Sequence, residues 1–197
     1  APFFLPGAES ARGAVKNAAA ASADGVVQLF KDNKLTVLTT EEPVEGVAFG
    51  GAYKGIPDIV TAPNKAIIDL KLGGQGYRWK SLEKGTSYQL ASYAYLVSGG
   101  DVAKFPQAAY YIMRTRRLIG PSGAFGAQGV DGPSLVETWE GLKAAHAAVW
   151  EAIETGEFTA PANGDPPEED ALVDGVLVLE PPCGFCDYAA LCGRAFA

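Results

Sequence analysis

The chain has 197 residues, 48% apolar and 20% charged; that balance suits one globular domain with an adequate core and excludes a disordered chain. A net charge of −7 excludes a general basic coat for nucleic acid and confines any polyanion contact to a local strip. No apolar run is long enough for a membrane span and no secretory signal is visible, while three cysteines in one C-terminal stretch favour metal binding over a disulfide scaffold.

Residues 8–23 are Ala-rich and predict a helix, broken by Asp24-Gly25. Residues 26–30 and 35–39 read as two short strands around a K-D-N-K hairpin turn. Strands over 44–50 and 52–61, turning at Gly50-Gly51, and a third over 65–72 then form a meander. Glu41, Glu42 and Glu45 precede or open it as solvated acids.

The third strand carries the anomaly. Ala66-Ile67-Ile68-Asp69-Leu70-Lys71-Leu72 has the composition of a strand buried on both faces. Two opposite charges interrupt it at spacing two, so Asp69 and Lys71 project from the same face. Buried charges are costly unless paired or metal-bound. Taken alone, an ion pair at a strand exit explains them as well as a functional site does. Asp58, closing the turn Gly55-Ile56-Pro57-Asp58, adds to the second reading. A tight Pro63-Asn64 turn predicts an antiparallel hairpin that brings Asp58 close to Asp69. Two converging carboxylates suit a hard divalent cation such as Mg²⁺, with Lys71 beside them to stabilise negative charge or position a water.

Residues 73–85 (G-G-Q-G-Y-R-W-K-S-L-E-K-G) read as a mobile loop. Its aromatics, with Arg78 and Lys80, suit stacking and phosphate contact, or are a chance surface feature. A helix over 86–97 stops at Gly99-Gly100 and sets Gln89 and Tyr93 on one face. Residues 108–113 are a strand, followed by Arg114, Arg116 and Arg117, the densest basic cluster and a candidate phosphate contact, or a solvated strand end. Then come a Gly-rich loop over 120–133, a helix over 134–156 with Trp139, Leu142, Val149, Trp150 and Ile153 at apolar positions, and a polar linker over 160–170. His146, the only histidine, reads as structural. Cys183, Cys186 and Cys192 form C-x₂-C-x₅-C, whose first pair can turn onto one metal or cluster edge.

Gly55-Ile56-Pro57-Asp58, Asp69-Leu70-Lys71, Gln89 with Tyr93 and the Cys tail together resemble the PD-(D/E)xK nuclease superfamily, in its RecB-like, AddB-like branch, over roughly residues 41–197. The resemblance implies an α/β, restriction-endonuclease-like core: a mixed central sheet from the 44–72 meander plus a strand over 108–117, flanked by helices 86–98 and 134–156, with a C-terminal Cys-rich segment. One domain is expected, with an N-terminal helix and hairpin (1–40), a nuclease core (41–157), and a linker and Cys tail (158–197). The implied activity is metal-dependent hydrolysis of DNA, as an exonuclease in repair, recombination or phage DNA processing. Mg²⁺ or Mn²⁺ would sit between Asp58, Asp69 and the Leu70 carbonyl, with Gln89 and Tyr93 over it. The three cysteines would hold a [4Fe–4S] cluster, or Zn²⁺. Expected partners are single-stranded DNA or duplex ends and a helicase domain or subunit, in the cytoplasm with no membrane. Two departures stand out: the N-terminal helix lacks the metal-binding His of RecB-like proteins, and no fourth Cys precedes Cys183. With the acidic total, the missing His favours a rival, a catalytically inactive DNA-binding or scaffold domain on the same fold. A zinc-binding module built on the tail is a third reading, which leaves the core unexplained.

Overall fold

The computed structural model describes residues 9–121, 124–157 and 167–181. Six strands form a central mixed sheet. They are β1 (Thr36–Thr40), β4 (Ile59–Ala62), β5 (Ile67–Lys71), β6 (Ala108–Ile112), β7 (Arg117–Pro121) and β8 (Gln128–Val130), in the order β1-β4-β5-β6-β7-β8. The β5–β6 and β7–β8 pairs are parallel and the rest antiparallel.

The period of two divides the apolar side chains between the faces. Ile67, Tyr110, Ile112 and Ile119 face one core with Leu90, Leu135 and Trp139. Ile68, Ala109, Tyr111 and Leu118 face the other. Helices α2 (Gln75–Glu83), α3 (Tyr88–Val97) and α4 (Leu135–Glu154) serve the first face. The second half of α1 (Glu9–Asp32) covers the other through Val26, Leu29 and Phe30. Ser134 caps α4 in a reciprocal capping box with Glu137, which satisfies two end groups of the helix.

Several expectations are corrected. Helix α1 runs straight through Asp24-Gly25 and absorbs the strand expected over 26–30. Gly25 is there for close approach: a Cβ would lie 2.3 Å from the Tyr111 hydroxyl, which donates to the Ser22 carbonyl at 3.1 Å. Gly-to-Ala changes inside helices usually stabilise by about 0.5–1 kcal/mol. Gly25→Ala is expected to reverse that sign and destabilise by about 1–3 kcal/mol, because buried Tyr111 has no room to swing away. A melting temperature at or above the parent's would contradict this close contact.

The expected strand over 52–61 is two strands, split at Pro57-Asp58. β2 (Val44–Ala48) and β3 (Gly51–Gly55) make a hairpin outside the central sheet, and β1 takes the edge beside β4. The hairpin turns at Phe49-Gly50, one residue earlier than expected. Both have positive φ, 54° and 76°, as a two-residue turn matched to strand twist requires. Phe49 tolerates this while packing on Trp139, ring centroids 5.3 Å apart.

The loop expected over 73–85 contains α2, started at Gly74 with φ 77°. Ser81 and Leu82 are buried, so contact with the core orders a segment with little apolar periodicity of its own. The Gly-rich stretch over 120–133 contains strand β8 and the end of β7, and Arg117 begins β7. A small hairpin, β9 (Ala171–Val173) with β10 (Val176–Val178), packs on α4 through Leu172 and Leu177. On α4, Trp139 is core as expected, but Val149, Trp150 and Ile153 are exposed, because α4 runs past the layer it covers. The expected antiparallel pairing across the Pro63-Asn64 turn is present, with Ile59 opposite Ile68 and Val60 opposite Ile67. The Cys183, Cys186 and Cys192 motif lies outside the described residues.

Candidate functional site

At one end of the sheet β4 begins and β5 ends. The backbone of Ile67 and of Lys71 bonds to the β6 side, through Gln107 and Met113. Strand alternation therefore turns both backbone groups of Leu70 toward β4. β4 has its first residue at Ile59, so Asp58 meets them instead: the Leu70 N–H donates to Asp58 Oδ2 at 2.6 Å. The Leu70 carbonyl lies on the same edge. The hairpin thus carries Asp58 beside the Asp69-Leu70-Lys71 segment, twelve residues from Leu70 in sequence.

Asp69 and Lys71 share a face, as the spacing of two predicts. Asp69 is 1% exposed, and Lys71 Nζ lies 2.6 Å from its Oδ2. Lys71 is the charged neighbour of this oxygen, and no other donor among the described residues reaches it. Burial pushes the Asp69 carboxyl above its ordinary range, and Asp58 adds to the push; Lys71 and, more weakly, Arg78 oppose it. This carboxylate is held away from water with too little compensating charge, a condition that a cation relieves.

Helix α3 brings Gln89 and Tyr93 toward the acids. Gln89 Nε2 donates to Tyr93 Oη at 3.1 Å. Burial pushes the Tyr93 hydroxyl up, and Asp69 and Asp58 push it further against the Gln89 contact. The close approach of α3 to β3 depends on Gly55, where a Cβ would meet Leu96 at 2.8 Å and Tyr93 at 3.1 Å. From α2, the Arg78 guanidinium lies 4.9 Å from the Tyr77 ring centroid and 5.2 Å from that of Tyr110. Tyr110 is the parallel register partner of Asp69, and burial pushes its hydroxyl up to about 12. Tyr110 carries no signal of this contact in the sequence, where it sits in an unbroken apolar run that marks only a buried strand.

The family comparison extends this arrangement to the chain as a whole. The model of the PD-(D/E)XK nuclease superfamily matches residues 5–193. The chain belongs to the PD-(D/E)XK nuclease superfamily. The match includes α1, which the motif resemblance left out. Comparison with curated proteins found no match, and comparison with solved structures found none.

The mixed sheet with helices on both faces is consistent with the PD-(D/E)XK fold. Of the candidate residues, Asp58, Asp69, Leu70, Lys71, Arg78, Gln89 and Tyr93 come together at this end. Arg114 borders it, its side chain lying against Gly73 after β5. Lys80 does not join them; with Lys84 and Glu169 it lines an adjoining cavity that shares Tyr77, Ser81 and Thr86 with the cleft beside Gln89 and Tyr93. Arg116 and Arg117 line a cavity of about 630 Å³ with Gly25 and Gln28 of α1, on the other side of the sheet. His146 is exposed and lies against Phe49, ring centroids 4.7 Å apart. No cluster of three or more His, Cys, Asp or Glu occurs among the described residues. Among them, no helix is long and apolar enough to cross a membrane.

Proposed function

We propose that this member of the nuclease superfamily is a Mg²⁺- or Mn²⁺-dependent deoxyribonuclease. The observation that carries the reading is the buried carboxylate of Asp69, beside Asp58 and compensated only in part by Lys71. Two carboxylates and a carbonyl are few ligands, but Mg²⁺ is commonly held by one or two carboxylates, with waters and substrate phosphate completing its shell. The donor set therefore fits the ion. Asp58, Asp69 and the Leu70 carbonyl would hold it. When bound, it neutralises charge on the phosphate and acidifies a water.

The remaining chemistry belongs to side chains of the chain itself. Lys71 is an ammonium already drawn toward the acids, available to hold charge that grows on a phosphate oxygen. Gln89 donates to Tyr93, so its carbonyl oxygen is left to accept from a water and orient it. Tyr93 accepts through its oxygen and keeps its proton, which it can donate to a phosphate oxygen. A phenol with the ordinary pKa already holds that proton at neutral pH, and burial strengthens the hold. Arg78, packed between two rings, offers a fixed guanidinium, and Arg114 a second cation at the rim.

Exonuclease action, a role in repair, recombination or phage DNA processing, and a helicase partner rest on the RecB-like resemblance. The cluster or zinc assigned to Cys183, Cys186 and Cys192 rests on that resemblance and their spacing, and a visible absorption band separates iron–sulfur from zinc. The rival, a non-catalytic DNA-binding domain, is favoured by the small ligand count and by the Lys71 ammonium standing where a cation would bind.

Incubation with single-stranded and duplex DNA in Mg²⁺, Mn²⁺ or EDTA tests the proposal. Cleavage with either metal and none in EDTA is expected. Mg²⁺ should also raise the melting temperature of the parent but not of Asp58→Asn, since a ligand stabilises only the state that binds it. Metal-independent cleavage, or equal Mg²⁺ shifts in both proteins, would overturn the assignment.

A further inference from the structure

Five of the chain's eight tyrosines line one cleft of about 480 Å³ next to the acids: Tyr53, Tyr77, Tyr88, Tyr93 and Tyr110. Three of them have structural work. Tyr53 donates to Ser92 at 2.7 Å, Tyr93 accepts from Gln89, and Tyr110 is buried in the sheet. Tyr77 lends its ring to Arg78, 4.9 Å from the centroid, and the Tyr88 side chain makes no hydrogen bond or ring contact among the described residues. They are 57% and 42% exposed, and neither hydroxyl makes a hydrogen bond among the described residues.

The same cleft is poor in charge. Its cations are Lys54, 3.5 Å from Glu45, and Arg78, which makes no ion pair among the described residues. A duplex-binding groove gains affinity by neutralising many phosphates, and a cleft with one guanidinium outside any ion pair is ill equipped for that. Aromatic faces gain affinity from base planes, which a duplex conceals in its own stack.

We propose that this cleft is a single-strand subsite: Tyr77 and Tyr88 stack on unpaired bases next to the scissile phosphate, Arg78 takes the phosphate between them and Asp69, and single strands are thereby preferred over duplex. The proposal rests on the nuclease reading for the position of the scissile phosphate. Arg78 is suited to its part because the Tyr77 and Tyr110 rings fix it at the junction of cleft and acids, and its charge already acts on Asp69. Tyr77 meets Arg78 and remains more than half exposed.

The test uses the full chain, its Tyr77→Ala/Tyr88→Ala variant and the corresponding Phe pair. Binding of a labelled oligothymidylate of about twelve nucleotides, and of its duplex with oligodeoxyadenylate, is read by anisotropy in EDTA. Cleavage of both is read in Mg²⁺. The parent is expected to bind the single strand more tightly than the duplex. The Ala pair should lose about tenfold or more of single-strand affinity with little change on duplex, and the Phe pair should keep it. Both side chains are exposed, so the melting temperature should hold. A parent that prefers duplex, or an Ala pair that binds single strands as the parent does, overturns the subsite. Single-strand binding with the stated loss but no cleavage of any DNA would sink the nuclease reading and leave the subsite standing.

Discussion

Asp69→Asn is expected to reduce DNA cleavage by about a thousandfold or more and, in the metal-free protein, to raise the melting temperature. The two effects have one cause. Asp69 is 1% exposed, its Oδ2 is reached by Lys71 and by no other donor among the described residues, and burial outweighs the help from Lys71. Removing the charge while keeping the shape removes a desolvation cost. It also removes the group that would share a cation with Asp58. A gain of about 1 kcal/mol corresponds to about 2–4 °C for a chain of this size.

The pH dependence follows from the direction of the shift. With its pKa raised above 3.8, Asp69 holds more protons folded than unfolded between the two values. Stability of the metal-free parent therefore falls as pH rises from the ordinary carboxylate range through the raised value. The asparagine variant lacks this fall. Its advantage in EDTA should be widest near neutral pH and should shrink on acidification. A variant that melts below the parent at neutral pH in EDTA would show that the Lys71 contact outweighs burial. Undiminished cleavage would remove Asp69 from the chemistry.

Trp139→Ala is expected to cost about 3–5 kcal/mol, a large share of the roughly 5–15 kcal/mol that holds a domain together. Trp139 is 1% exposed and heads the fully buried side chains by volume. It stacks on Tyr95, with ring centroids 4.1 Å apart and planes at 19°, and packs against Phe49 and Tyr53. Tyr95 in turn donates to the Val47 carbonyl at 2.7 Å, and Tyr53 to Ser92. One side chain of α4 thus ties α3 to the β2–β3 hairpin. That hairpin leads directly into Gly55-Ile56-Pro57-Asp58, so loosening it should also weaken the Mg²⁺ binding proposed for Asp58. Trp139→Phe should cost much less, because the indole N–H is itself buried without a partner and its loss offsets part of the lost packing. Urea unfolding measures both. An Ala variant within about 1 kcal/mol of the parent would mean that the aromatic cluster does not anchor the hairpin.

The convergence of the candidate acids was legible in sequence because their positions follow from short-range rules. A spacing of two along an apolar run puts Asp69 and Lys71 on one face, a Pro63-Asn64 turn folds Asp58 back toward them, and a spacing of four aligns Gln89 with Tyr93. Each rule acts over one strand, one turn or one helical repeat. The family likeness lay in the same residues.

Composition around Gly25 and over residues 73–85 pointed the wrong way, because glycine signals both chain breaks and close approach. Only the packed Tyr111 hydroxyl decides for the second at Gly25. Arg78 and Lys80 are two residues apart and chemically alike. The orientation of α2 against the core sends the first to the acids and the second to Lys84 and Glu169. Tyr110 reaches Asp69 through the parallel β5–β6 register, across a crossover of more than thirty residues between the two strands that local pattern does not encode. The sequence by itself determined which charges share a face. The tertiary structure decided which arginine, which tyrosines and which helix meet them, since those contacts come from burying surface between distant segments.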